Sequence, residues 1–408
     1  MDRIRKLRDH TYRYPSIYAL SMMILFWTIF DSTMQYVTPL VIEQNGFSNT
    51  MIGIIIGSSS IAGAIFDFIV CRIFKRMNFR LIFLVMFAIC LVYPFLLWQA
   101  NTLLFYLLLM VIWGIYFDLY SFGTFDFVGR FVKRKEHSSS FGVIQVFRSM
   151  GSLIGPLIIG IFVIDIVDWK AFAFGWGFLL IAIIFFAVLL ILSPKRSEIV
   201  SPAEGRRNNI FVEFSLWKRL GSTILPILIL TFFIFMIEGF FWTLAPLYAK
   251  TTGFRGFGGF LLVAYSLPML FLGWFVGSIT KKFGETRTAF LCFFVGSVIL
   301  SSFYFLSSPY ITILMVFIAS CFIGIALPSI NGVYANYISE ASAVEKEITA
   351  LEDFSFNLGY IFGPLMAGIL SDVFSIPLAF SILGVAGSVT ALILLKITPK
   401  KIAVKGKI

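Results

Sequence analysis

Charge is scarce in this chain. Only 13% of its 408 residues are Asp, Glu, Lys or Arg, while 59% are hydrophobic and 18% aromatic, and the mean hydropathy is +0.94. Soluble domains carry about 25% charged residues, so a soluble globular domain is excluded and a membrane protein is indicated. Histidine is almost missing: His10 and His137 both fall in polar connecting stretches. The four cysteines, Cys71, Cys90, Cys292 and Cys321, lie in or beside apolar runs without CxxC spacing. Neither a disulfide frame nor a metal site is expected from them. There is no GxxxxGK[ST] phosphate loop and no HExxH, which argues against ATP-driven pumping and zinc chemistry. The chain is read as no enzyme, with no cofactor and no metal.

What the sequence has in quantity is long apolar runs. A helix needs about 20 apolar residues to cross a bilayer, and such runs fall near 16–42, 50–73, 81–99, 102–127, 139–164 and 171–192, then near 222–249, 257–280, 288–307, 309–333, 354–371 and 376–396. The expected fold is therefore an all-α membrane protein of twelve spans, organised as an N-terminal half (1–193), a linker (194–221) and a C-terminal half (222–408). Basic residues set the orientation. The N-terminus, "CRIFKRMNFR", "RFVKRKEH", the linker, "KKFGETR" and the C-terminus hold nearly all Lys and Arg, and the alternate loops hold only Lys170, Lys250 and Arg255. Positive-inside bias puts both termini and the linker in the cytoplasm. The basic N-terminus is read as a cytoplasmic tail, because the apolar run after it is too long for a signal-peptide core. The formal charge of +11 then points to anionic lipid headgroups rather than nucleic acid. The end of the linker, "IFVEFSLWKRL", has the pattern of a surface amphipathic helix.

The two halves repeat one another at an offset of about 207 residues. Asp31 precedes Pro39-Leu40 and Gly46-Phe47 as Glu238 precedes Pro246-Leu247 and Gly253-Phe254. Cys71 to Asn78 aligns with Gly277 to Gly284, and "GSLIGPLIIG" (Gly151 to Gly160) with "GYIFGPLMAG" (Gly359 to Gly368). Parallel repeats of this kind place a substrate site near the midplane and transport by rocking.

Twelve spans, cytoplasmic termini, the half-to-half repeat and two local motifs together resemble the major facilitator superfamily, nearest to its proton-coupled drug and metabolite exporters. The first motif is the loop after spans two and eight. Gly277, Lys282, Gly284 and Arg287 match it, Lys281 stands where the family has Asp, and the first copy has Cys71, Lys75, Arg76 and Asn78. The resemblance implies a cytoplasmic latch, for which the candidates are Asp67, Lys75, Arg76, Asp126, Arg130, Lys281, Lys282 and Gly284. Asp126 with Arg130 is also open to reading as a pair at a helix end. The second motif is Gly142, Gly151, Gly155, Pro156 and Gly160, repeated as Gly359, Gly363, Pro364 and Gly368. Glycines at four-residue spacing clear a helix face for a neighbouring backbone, so helix packing and the exporter motif both remain open. The resemblance also implies alternating access and a central cavity lined by spans one, four, seven and ten. The family's span-four arginine is missing, Met110 standing four residues before Gly114.

Charges inside the spans are the site candidates, because a charge at a helix centre costs roughly 2.5–3.5 kcal/mol on insertion scales. Arg148 falls near the midplane, Asp31 and Glu238 at matching depths in spans one and seven, and Asp118 in the inner half of span four. A carboxylate in a low-dielectric cavity can exchange its proton for a cation. Asp31, Glu238, Arg148, Asp118 and Asn331 are accordingly proton or substrate candidates. A permanent bridge between Asp31 and Arg148 is the structural alternative. Trp27, Tyr36, Trp113, Tyr116, Tyr120, Phe241 and Trp242 are aromatic lining candidates, with packing as the other reading. The expected function is secondary active transport, proton-coupled efflux of a small amphipathic or cationic molecule, by a monomer in the plasma membrane. The alternatives are an importer or uniporter of a sugar, peptide or organic acid that uses Arg148 for an anion, and a non-transporting scaffold or sensor.

Overall fold

The computed structural model describes residues 15–73, 78–132, 136–163, 166–193, 210–251, 254, 257–340 and 345–398. Twelve long helices account for nearly all of them: α1 (Pro15–Gln44), α2 (Asn49–Ile73), α3 (Phe79–Gln99), α4 (Leu103–Phe131), α5 (His137–Phe162), α6 (Trp169–Leu192), α7 (Ile210–Thr251), α8 (Gly258–Phe283), α9 (Glu285–Ser301), α10 (Pro309–Glu340), α11 (Glu345–Val373) and α12 (Ile376–Ile397). No strand occurs among the described residues. Eleven of these helices are long and apolar enough to cross a membrane, and α8, bent into two pieces, brings the number to twelve. In hydrocarbon every backbone polar group must be satisfied within the protein, and only a helix does this inside one segment. The all-helical chain follows from its hydropathy.

The helices fall into two compact units. Unit 1 comprises residues 1–46, 58–203 and 255–259, and unit 2 comprises 47–57, 204–254 and 260–408. In unit 1, α1 packs on α5 and α6, and α3 on α4 and α6. Unit 2 has the same plan: α7 packs on α11 and α12, and α9 on α10 and α12. The first helix of each set is the most enclosed, with 83% of the apolar window of α1 and 61% of that of α7 buried, against 28–50% for the other complete spans outside α2 at 33%.

The expected glycine motif is the seam of each unit. A Cβ on Gly151 would come within 2.7 Å of the Leu25 carbonyl oxygen and 2.8 Å of Thr28 Cβ; one on Gly359 would meet Phe232 O at 2.7 Å and Phe235 Cβ at 2.8 Å. Leu25 and Phe232, like Thr28 and Phe235, are 207 residues apart, so the sequence repeat is also a repeat of atomic contacts. Gly155 and Gly363 continue the seams, a Cβ meeting Ile29 O at 2.9 Å and Met236 O at 2.6 Å. Further along, Gly160 abuts Gly259 within unit 1, Gly368 abuts Asn49 within unit 2, and the carbonyls of Pro156 and Pro364 face Gly259 and Gly53. Gly142 departs from the expectation. Nothing lies within 4 Å of where its Cβ would be, so the packing motif begins at Gly151.

Three boundaries also differ from the sequence reading. The stretch expected to lie on the membrane surface from Ile210 is continuous with α7, a single helix of 42 residues. α10 runs on to Glu340, and α11 starts at Glu345. Polar residues extend α10 and α11 beyond their apolar cores, where hydropathy no longer marks them, and α7 begins with an amphipathic stretch interrupted by charges. Two turns use the left-handed region, Gly46 with φ 83° and Gly284 with φ 81°, a conformation open to glycine without steric cost.

Candidate functional site

In unit 1 the site is built on one face of α4. Trp113, Tyr116, Phe117 and Tyr120 follow the i, i+3, i+4, i+7 spacing that places side chains on a single helix face. Asp31 on α1, only 3% exposed, meets that face. Its Oδ1 accepts hydrogen bonds from Trp113 Nε1 at 3.2 Å and Tyr116 Oη at 2.9 Å, and its Oδ2 accepts one from Gln35 Nε2 at 2.9 Å. Gln35 stands four residues after Asp31, one turn along α1. Sequence reading had named Asp31, Trp113 and Tyr116 separately and missed Gln35, whose only signal was that spacing.

Three of the aromatic candidates, Trp27, Tyr116 and Tyr120, form one layered cluster in unit 1. Trp27, one turn before Asp31, stacks on Tyr120 with centroids 4.4 Å apart and planes 15° apart, and presents an edge to Tyr116 at 6.3 Å. Tyr93 of α3 meets Tyr116 edge-on at 5.6 Å. The Arg148 guanidinium lies 5.3 Å from the ring centroids of both Phe117 and Tyr120. It is also within electrostatic reach of Asp31. The hydrogen bonds of the acid itself come from a tryptophan, a tyrosine and a glutamine, whereas the bridge reading expects the arginine. Tyr36 is buried on α1.

Asp118 has a different setting. It lies where α4 crosses α2, and a Cβ on Gly63 would stand 3.0 Å from its Oδ2. Gly63 and Gly114 together permit that crossing, since a Cβ on Gly114 would meet Ser59 O at 2.7 Å. Asp126 ties α4 to the start of α3. It accepts from the Phe79 backbone N–H at 2.9 Å and pairs with Arg130 at 2.5 Å. These contacts correspond to the helix-end pair that the sequence left open beside the latch. Lys75 and Arg76 lie outside the described residues, as does the side chain of Asp67. Lys281, Lys282 and Gly284 are exposed, with Lys282 Nζ 5.4 Å from the Phe283 ring centroid.

Unit 2 repeats the position of the acid but not its surroundings. Glu238 is half-buried on α7. Phe241, three residues on, stacks on Tyr265 of α8 with centroids 4.4 Å and planes 16° apart, and touches Phe380 at 4.7 Å. Tyr265 is 1% exposed, and its hydroxyl has no hydrogen-bond partner among the described residues. Trp242 is half-buried, and Asn331 is exposed on α10. At an offset of 207 from Trp113 and Tyr116, α10 carries Ser320 and Ile323. The other asparagine of that helix, Asn336, hydrogen-bonds to Glu285 at the start of α9. Among the described residues, no group of three His, Cys, Asp or Glu is placed to hold a metal ion.

Comparison with known proteins fits this architecture. The sequence profile of the Major Facilitator Superfamily matches residues 18–346. Among solved structures, a variant of the nucleoside transporter NupG superposes with a TM-score of 0.73 at 11% identity, covering 94% of this chain and 100% of that one. A peptide transporter, POT, determined with sulfate, gives 0.71 at 12% identity, covering 93% and 94%. A bacterial homolog of the human lysosomal transporter Spinster gives 0.68 at 14% identity, covering 94% and 95%. At these identities the likeness is one of fold. No curated protein sequence matches. A profile that matches more than three quarters of the length, on twelve apolar helices in two repeated units, identifies the chain as a member of the Major Facilitator Superfamily.

Proposed function

We propose that the chain is a secondary active transporter that works by alternating access and exports a small amphipathic or cationic molecule in exchange for protons, with Asp31 as the proton carrier. The observation that supports this is the setting of Asp31. Hydrogen bonds to a charged group contribute about 1.5–3 kcal/mol each, and burying a carboxylate costs several kcal/mol. Three neutral donors therefore offset a burial cost of similar size. Where two large terms nearly cancel, a change in hydration or in one neighbour moves the proton on or off. Nothing in this balance calls for covalent chemistry, and the fold neighbours are transporters rather than enzymes.

The rest of the reading follows from the same features. The substrate is a small molecule, and the proton is the coupling ion. The chain acts as a monomer in the plasma membrane, with its termini and basic loops against anionic headgroups on the cytoplasmic side. The halves 1–193 and 222–408, joined by 194–221, are the moving bodies.

In proteoliposomes with an imposed pH gradient, Asp31→Asn is expected to abolish proton-coupled transport while the protein still folds. Full coupled activity in that variant overturns the assignment. The position of Arg148 over the Phe117 and Tyr120 rings supports a second reading, an importer or uniporter that holds an anionic group there. Under that reading Arg148→Gln loses substrate binding and Asp31→Asn is silent.

A further inference from the structure

Asp31 and Glu238 are matched by the repeat, and on the unit 2 side the neighbouring Tyr265 hydroxyl is buried with no hydrogen-bond partner among the described residues. Tyr265 is fixed by its stack on Phe241, one helical turn from Glu238 on α7. The acid is within electrostatic reach of the phenol, yet the hydroxyl makes no hydrogen bond among the described residues. A buried hydroxyl without a partner costs stability, and proteins rarely keep one without use. The chemistry of the pair narrows what completes it. An acceptor group on a ligand would be repelled by the carboxylate, whereas a group with several N–H donors can serve both oxygens. A quaternary ammonium has the charge but no N–H, so it would leave the phenol oxygen unmet.

We propose that Glu238 and Tyr265 form a binding site for a protonated amine, whose N–H groups donate to the Glu238 carboxylate and to the Tyr265 hydroxyl oxygen. Phe241 is a positioning residue that holds the phenol in place. The site deepens the proposed function by naming the substrate class as a primary or secondary amine, and it depends on that function only for the bound amine being cargo. Binding at equilibrium does not involve proton coupling at Asp31, so failure of one is distinguishable from failure of the other.

The test is isothermal titration of the purified full-length protein in detergent at one fixed pH, with phenethylamine, trimethylphenethylammonium and phenethyl alcohol as probes. The expected result is that phenethylamine binds at least tenfold tighter than its trimethyl derivative, which has no N–H for either oxygen, each charge-assisted hydrogen bond being worth about tenfold. Tyr265→Phe should narrow the difference about tenfold by weakening phenethylamine alone, and Glu238→Gln should weaken both cations about tenfold or more. Equal affinity of the two cations, binding of the alcohol as tight as the amine, or no detectable binding of phenethylamine overturns the proposal. Folding is controlled in the same variant. Without ligand, Tyr265→Phe should melt at the same temperature as the native protein or higher, because it removes an unmet buried hydroxyl and keeps the Phe241 stack. A lower melting temperature would show that the hydroxyl has a structural partner and would also overturn the site.

Discussion

Asp31 is held by donors from two helices, and each can be removed without touching the acid. Tyr116→Phe keeps the ring edge against Trp27 and Tyr93 and removes only the 2.9 Å hydrogen bond. The expected loss is about 1.5 kcal/mol of support for the carboxylate, read as roughly tenfold slower coupled transport in proteoliposomes. Tyr106→Phe is the control on the same helix, because its hydroxyl donates to the Ala100 carbonyl at 2.8 Å and accepts from Asn45 Nδ2 at 3.0 Å, whereas the donors to Asp31 are Gln35, Trp113 and Tyr116. Equal rates in the two variants would remove Tyr116 from the proton site. Gln35 has a subtler part. Its amide donates to the ionised carboxylate, and after rotation its carbonyl can accept from the protonated one, so it can serve both states. Gln35→Leu should slow coupled transport about tenfold as well, and unchanged transport would show Gln35 to be a bystander. Asp31 was legible in the sequence because a charge in an apolar run is conspicuous. Gln35 was not, because an uncharged amide is cheap enough in a span to pass without remark.

Between helices, the glycine seams decide how closely α1 approaches α5 and α7 approaches α11. At Gly155 and Gly363 a methyl group would press on a backbone carbonyl of the facing helix, which cannot rotate away as a side chain could. Gly155→Ala and Gly363→Ala are each expected to destabilise by about 1–3 kcal/mol through overpacking, seen as lower thermal midpoints in detergent. Gly142→Ala should be neutral or stabilise by about 0.5–1 kcal/mol, since it reduces backbone freedom in a helix and meets nothing. Equal melting of all three variants would contradict the seams. The seams were legible because the same spacing occurs twice, 208 residues apart. Their end was not, because whether a glycine packs depends on the partner helix. Gly142 shows this: it keeps the motif's spacing and faces open space. The start of α7 was hidden for a related reason, as an amphipathic stretch carries no signal to say whether it continues a span or lies on the surface apart from it.

Over the whole molecule, the sequence repeat carries the span number, the helix pairing inside each unit and the matched positions of Asp31 and Glu238. What it cannot carry is divergence in the partners, because those come from helices far away in the chain. Trp113 and Tyr116 serve Asp31 from α4, while α10 offers Ser320 and Ile323 at the corresponding offset, and Tyr265 of α8 lies within electrostatic reach of Glu238 in unit 2. With Asp31 as the proposed proton carrier and Glu238 in the proposed amine site, the duplicated architecture would divide two tasks that a single carboxylate has to combine by direct competition. The consequence is a crossed pattern in two variants. Asp31→Asn should lose proton-driven transport yet keep its affinity for phenethylamine within about twofold. Glu238→Gln should lose that affinity by about tenfold or more, while a substrate-independent proton exchange in proteoliposomes, read with a pH-sensitive dye, persists. If the two variants instead lose binding and proton movement together and to the same degree, the acids act as one coupled site, and the division of labour between the halves is wrong.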